Sequence, residues 1–169
     1  AGLPDVNYIE QQGGIYYWTK EIPVEEDAAA FDELYTQAEQ EPDSDKKLEM
    51  YLKACHCYTG EFLENQTAVV WVAQEAMRYR KVFSACAQQA VELLRKRQDY
   101  LRMEELGLYA ANINPLADWE SVTMEALLAL GRTDEAIRLY EDTVELYFQE
   151  EGLRPSGRLM EMLEEVLDL

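Results

Sequence analysis

Cys55, His56 and Cys57 stand consecutively in the chain. Two thiols around an imidazole are the soft ligands of zinc or copper, and they are also the nucleophile and base of thiol catalysis. Their spacing argues against both. A structural zinc site takes two pairs of ligands, such as Cys-x2-Cys with a second pair elsewhere, and consecutive residues on a helix diverge by about 100°. Cys86 is the only other thiol and His56 the only histidine. Adjacent helix positions cannot turn a nucleophile and a base toward each other, and the chain has neither an oxyanion motif nor a Gly-rich phosphate loop. The expectation is a buried cysteine pair flanking a surface histidine. No metal ligand, cofactor site or catalytic residue is assigned, and the chain is read as not being an enzyme.

Carboxylates carry little information where 34 residues are acidic. Glu25-Glu26-Asp27 and Glu164-Glu165 read as solvated faces or partners of helix dipoles. The cations are more unevenly placed. Arg78, Arg80, Lys81, Arg95, Lys96, Arg97 and Arg102 gather seven of the 15 basic residues into 25 positions, and no arginine precedes Arg78. Such a band could meet an acidic partner, a DNA backbone or an acidic face of a second copy. The simpler account is helix faces balanced by neighbouring acids. A net charge of −19 repels phosphate backbones and anionic lipid heads. The chain alone is therefore expected not to bind nucleic acid.

At 169 residues the chain suits one domain, with room for a fragment of another, and can bury roughly 70% of its unfolded surface. Three cysteines, an odd number, without an apolar signal segment argue for reduced thiols in a cytoplasmic protein. The sequon Asn65-Gln66-Thr67 is then incidental. No apolar run approaches the length of about 20 residues that crosses a bilayer, so a soluble protein is expected.

Residues 1–22 differ in texture from the rest of the chain. Tyr8-Ile9 and Ile15-Tyr16-Tyr17-Trp18-Thr19 flank Gly13-Gly14, which predicts two short strands around a tight turn. A lone hairpin is marginal in water, so these strands should belong to a sheet completed outside the chain. After a linker at Pro23-Val24-Glu25-Glu26-Asp27, apolar residues recur at helical spacing. Helices are predicted from about Asp27 to Gln40 (Ala30, Phe31, Leu34, Tyr35 and Ala38 inward), through Leu48, Tyr51, Leu52 and Cys55, and from about Thr67 to Arg97. The last should turn Val70, Trp71, Met77, Val82, Phe83, Cys86, Ala90, Leu93 and Leu94 to the core.

The last forty residues are the best punctuated. Gly131-Arg132-Thr133-Asp134-Glu135-Ala136 marks a turn and a helix start, followed by Ile137, Tyr140, Val144, Tyr147 and Phe148 at helical spacing. Gly152 with Pro155 ends that helix, and Ser156 can cap the next, whose apolar stripe is Leu159, Met162, Leu163, Val166 and Leu167. Tyr100 and Thr133 begin two weakly similar units 33 residues apart, near the tetratricopeptide period of about 34. Ala110 and Pro115 take the small-residue and terminal-proline positions, and Gly131 and Ala136 match in the second unit. The glycine of the repeat's first helix reads as missing from both units. An irregular right-angled stack of helix pairs is therefore expected. Its inner helices would line a groove in which any of Tyr79, Tyr100, Tyr109, Trp119, Tyr140 and Tyr147 left exposed would anchor a partner helix or peptide.

Four blocks in this order, Tyr58-Thr59-Gly60-Glu61-Phe62-Leu63, Asn114-Pro115-Leu116 with Glu120, Gly131 to Tyr140, and Glu151-Gly152-Leu153-Arg154-Pro155-Ser156, resemble the bacterial transcriptional activator domain from about Val24 to the end. In that family a tetratricopeptide-like helical domain follows a winged helix in antibiotic-regulatory-protein-type activators and related response regulators. Gly14-Ile15-Tyr16-Tyr17 is similar to the last strand of the winged helix, with one residue inserted between Gly and Tyr. The resemblance implies an all-α domain over residues 23–169 and the wing remnant of a DNA-binding domain over residues 1–22. It also implies that DNA contact is delegated to a winged helix ahead of Ala1. The helical domain would meet protein partners: a second copy in a homodimer, RNA polymerase or an upstream regulatory domain. Candidate partner-binding residues are Tyr79, Tyr100, Tyr109, Trp119, Arg95, Lys96 and Arg97. The alternatives are a stand-alone tetratricopeptide-like adaptor and, with less support, a small-molecule sensor.

Overall fold

The computed structural model describes residues 7–19, 26–66, 68–115, 117–151 and 155–167. Among the described residues, strands β1 (Ile9–Gln12) and β2 (Ile15–Trp18) form an antiparallel hairpin, and seven α-helices follow. The helices are α1 (Asp27–Gln40), α2 (Ser44–Cys57), α3 (Val70–Arg97), α4 (Tyr100–Ile113), α5 (Trp119–Ala129), α6 (Thr133–Glu151) and α7 (Gly157–Leu167). The architecture is all-α behind a short hairpin.

The hairpin turns through Gly13 and Gly14 at φ 62° and 82°, the left-handed region that a two-residue turn of this kind needs. Ile9 pairs with Trp18 and Gln11 with Tyr16, which places Ile9, Tyr16 and Trp18 on one face. All eight strand residues are exposed.

Local chemistry sets the helix ends. Pro42 follows α1, and the Asp43 carboxylate caps α2 by accepting from the Asp45 and Lys46 amides at 2.9 and 3.1 Å. Helix α3 closes on Gln98 in the left-handed conformation, and its last turn carries Arg95, Lys96 and Arg97 against the negative helix end. Gly131 stops α5 at φ 73°, where the Gly131 amide donates to the Leu128 carbonyl and the Arg132 amide to the Leu127 carbonyl. Ser156 caps α7 by accepting from the Leu159 amide at 3.2 Å. Gly152 lies outside the described residues, as do the linker residues 20–25 and Leu116.

Each helix packs on the next, and α5 also packs on α7. A main core joins α1 to α5 around Phe83, whose ring lies 5.0 Å from Tyr58 and 6.4 Å from both Tyr109 and Trp119. A smaller core joins α5, α6 and α7 through Met124, Leu127, Ala136 and Leu159. Helix α5 serves both, with Trp119, Val122 and Ala126 on one side and Met124 and Leu127 on the other. The two units of the weak repeat begin α4 and α6, at Tyr100 and Thr133 as their offset predicts.

Three expectations are corrected. The first unit does carry a close-packing glycine in its first helix. Gly107 of α4 faces α5 so tightly that a β-carbon there would stand 2.4 Å from Thr123 Oγ1 and 3.1 Å from the Thr123 amide nitrogen. Val70, Trp71 and Met77 are exposed instead of buried, because the inward stripe of α3 runs Val72, Ala76, Tyr79, Phe83, Cys86, Ala90 and Leu94. Trp71 is one residue, or about 100°, out of phase with that stripe. Phe148 of α6 and Leu167 of α7, both assigned to apolar stripes, are exposed as well.

Candidate functional site

The band of cations on α3 and α4 is largely consumed within the domain. Arg78 forks onto both oxygens of Asp32 in α1 at 2.8 and 2.9 Å, reaches Glu75 through Nε, and lies 4.0 Å from the centroid of the Tyr79 ring. These carboxylates, Asp32 foremost, raise its pKa further above the ordinary guanidinium value. Arg80 pairs with Glu61 and Arg102 with Glu49. Arg95 holds Glu125 of α5 through Nε and Nη2 and also pairs with Glu92, while Arg158 of α7 reaches the same Glu125 at 2.7 Å. Arg97 meets Asp45 at 2.7 Å and the Ser44 hydroxyl at 2.8 Å at the start of α2. Half-exposed pairs of this kind contribute about 0–1 kcal/mol each, so they orient helices more than they stabilise them. Arg95 and Arg97 are thus occupied. Lys96 is exposed, and no ion pair joins it to any described residue.

The aromatic candidates sort by burial. Tyr79 and Trp119 lie in the main core and Tyr147 is buried on α6, so none of the three presents a ring for a partner. This is a correction for Tyr79 and Trp119, and it follows from their places on the inward stripes of α3 and α5. Tyr100 and Tyr109 are half-buried against the main core. Tyr109 is also spoken for: its hydroxyl donates to the Tyr58 carbonyl at 3.0 Å and its ring stacks on His56 at 5.2 Å.

The thiols are structural in their surroundings. Cys55 and Cys86 are buried and Cys57 half-buried, while His56 is exposed with Nδ1 2.7 Å from the Leu52 carbonyl. Burial pushes both buried thiols up, Cys86 to about 12, which keeps them protonated and poorly nucleophilic. No cluster of three His, Cys, Asp or Glu residues among those described could hold a metal ion. No described helix is long and apolar enough to cross a membrane.

One stretch of the exposed surface is apolar. Leu63, Val69, Val70 and Trp71 are exposed together where the α2–α3 connection enters α3. Sequence reasoning missed this patch by assigning Trp71 to the core. The signal available was phase, since three consecutive bulky residues cannot all lie on one helix face. Beside the patch lies a cavity of about 390 Å³ between the start of α1, the end of α2 and α3.

Residues 26–167 match the family model of the bacterial transcriptional activator domain. The chain belongs to that family. No curated protein matches the chain. The matched span covers α1 to α7 and leaves the hairpin outside. Within the activator domain, the four sequence blocks fall at its junctions: Tyr58 to Leu63 between α2 and α3, Asn114 and Pro115 before α5, Gly131 at the α5–α6 turn, and Pro155-Ser156 before α7. The match makes this a transcriptional-activator-type domain.

Proposed function

We propose that this chain is the partner-contacting part of a cytoplasmic bacterial transcriptional regulator. It couples DNA occupancy by an upstream winged helix to dimerisation, to RNA polymerase or to a signal-receiving domain. The observation that carries this reading is the hairpin. It lies outside the span matched by the activator domain, all eight of its strand residues are exposed, and Ile9, Tyr16 and Trp18 share one face. A two-stranded sheet with an uncovered apolar face needs further strands or a helix layer to be stable. The end of a winged helix supplies that need.

Charge supports the same division of labour. With a net charge of −19 over the whole chain and its described arginine band paired internally, the helical domain is poorly suited to binding phosphate backbones. The exposed patch at Val70 and Trp71, at the start of α3, is the surface assigned to protein partners, with exposed Lys96 and half-buried Tyr100 a separate candidate at the far end of that helix. A gel-shift titration tests the reading. The chain alone leaves promoter DNA unshifted at physiological salt, whereas a protein extended upstream through a helix-turn-helix shifts it. Tight binding by the chain alone, or an unrelated domain encoded ahead of Ala1, overturns the reading.

A further inference from the structure

The 390 Å³ cavity combines features that play no part in the proposed partner surface. It is lined by Phe31, Tyr58, Phe62 and Tyr79, the last with the Arg78 guanidinium already 4.0 Å from its ring centroid. These rings are tilted against one another at centroid distances of 5.8 Å for Phe31–Tyr58, 5.9 Å for Phe31–Tyr79 and 5.2 Å for Phe62–Tyr79. Three of them are rigid, since Phe31, Tyr58 and Tyr79 are all buried. Phe62 is half-exposed in the connection after Gly60 and is backed edge-on by Trp71 at 6.2 Å.

The rim is acidic. Asp27, Glu61 and Glu64 line the cavity. Glu61 is paired with Arg80, but no ion pair within the described residues engages Asp27 or Glu64. Tyr58 is 6% exposed, and its hydroxyl lies against the Arg80 guanidinium that also holds Glu61.

Aromatic walls under an acidic rim define a ligand class. Ring faces attract a cation through their quadrupole, and flanking carboxylates add long-range attraction and exclude anions. The volume lies in the range of about 300–1,000 Å³ usual for small-molecule pockets, which favours a free molecule over a single inserted side chain. We infer that this cavity binds a small organic ammonium ion bearing an apolar or aromatic body, with its charge against the Asp27–Glu64 rim and its body against Phe31, Tyr58 and Phe62.

Benzyltrimethylammonium is the probe, titrated into the chain from about 10 µM to about 10 mM and followed by tryptophan fluorescence and calorimetry. Saturable binding is expected, with benzyl alcohol binding at least about 10-fold more weakly because it lacks the charge. Phe62→Leu keeps apolar volume and lowers affinity by about 10-fold. Asp27→Asn with Glu64→Gln lowers it several-fold and flattens its salt dependence. Asp27 and Glu64 are exposed and Phe62→Leu keeps an apolar side chain at the edge of the core, so folded variants are expected, which circular dichroism melts check. Equal binding of benzyl alcohol, parent-like affinity in both variants, or no saturation overturns the inference. Equally tight binding of Nα-acetyl-lysinamide also overturns it, in favour of a partner's lysine. The measurement needs neither DNA nor a partner protein, so its outcome is separate from that of the gel shift.

Discussion

Gly107 and Thr123 show how much of the fold rests on one missing methyl group. Helices α4 and α5 approach so closely there that an alanine β-carbon meets Thr123 Oγ1 at 2.4 Å, with backbone just behind it. Gly107→Ala gains about 1 kcal/mol in helix propensity but forces a shift between packed helices that costs about 1–3 kcal/mol. Net destabilisation is expected, visible as a lower urea midpoint at unchanged slope. Thr123→Ala in the same chain recovers part of it, because the hydroxyl is the nearest clash and the amide remains.

Cys86 makes a second prediction at this scale. Burial, and then the charge of Glu39, raise its pKa from 9.0 to about 12. The folded thiol holds its proton more tightly than the unfolded one. Its stabilising contribution is therefore complete below about pH 9 and is lost as the pH rises through about 12. Urea midpoints at neutral and at strongly alkaline pH should differ by less in Cys86→Ala than in the parent. Alkylation by iodoacetamide under native conditions should modify half-buried Cys57 ahead of Cys55 and Cys86.

At the scale of the element, helix ends were the most legible part of the sequence. The bounds of α1 and the starts of α4 and α6 could be read from caps, prolines and the 33-residue offset, because the residues that stop a helix act locally. What a helix faces is decided by its neighbours. Trp71 and Met77 looked like core residues because they are large and apolar, yet the α3 stripe begins at Val72 and leaves both outside. Much the same limit hid the candidate cavity. Its walls come from three separate helices and a connection, and no spacing along the chain announces that Phe31, Phe62 and Tyr79 meet. The basic band was legible as a cluster, but its pairing with Asp32, Asp45, Glu49 and Glu125 required the fold.

The cap of α2 is open to direct test. The Asp43 carboxylate accepts from the Lys46 and Asp45 amides, and these bonds hold its pKa below the ordinary carboxylate value. A depressed folded pKa means that the contribution is present above the ordinary carboxylate range and is lost as the pH falls through the depressed value. Asp43→Ala should lower the melting temperature by a few degrees near neutral pH, whereas Asp43→Ser, which also caps, should lower it less. The difference between Asp43→Ala and the parent should narrow in acid, and melts followed by circular dichroism across pH would show it.

At the scale of the whole molecule, stability is unevenly distributed. The main core gathers α1 to α5 around Phe83, whereas α6 and α7 are held by the small cluster of Met124, Leu127, Ala136 and Leu159. Fewer buried side chains mean a lower local opening free energy. Native-state hydrogen exchange should therefore release the amides of α6 and α7 well before those of α2 and α3. Simultaneous exchange of all seven helices would show that the two cores open as one unit.

Between the two cores stands α5, and it is an unusual wall. Glu120, Ser121 and Thr123 are buried on it, and Glu120 Oε2 and Trp119 Nε1 have no hydrogen-bond partner. Glu120 lies beside Tyr147 of α6 and would regain water if α6 and α7 swung away, so part of the lost apolar contact would be offset at the moment of opening. The joint along α5 thus acts like a perforation in a sheet of paper: the molecule is scored where its C-terminal helix pair meets the rest, and any force pulling on that pair is directed to one line of separation.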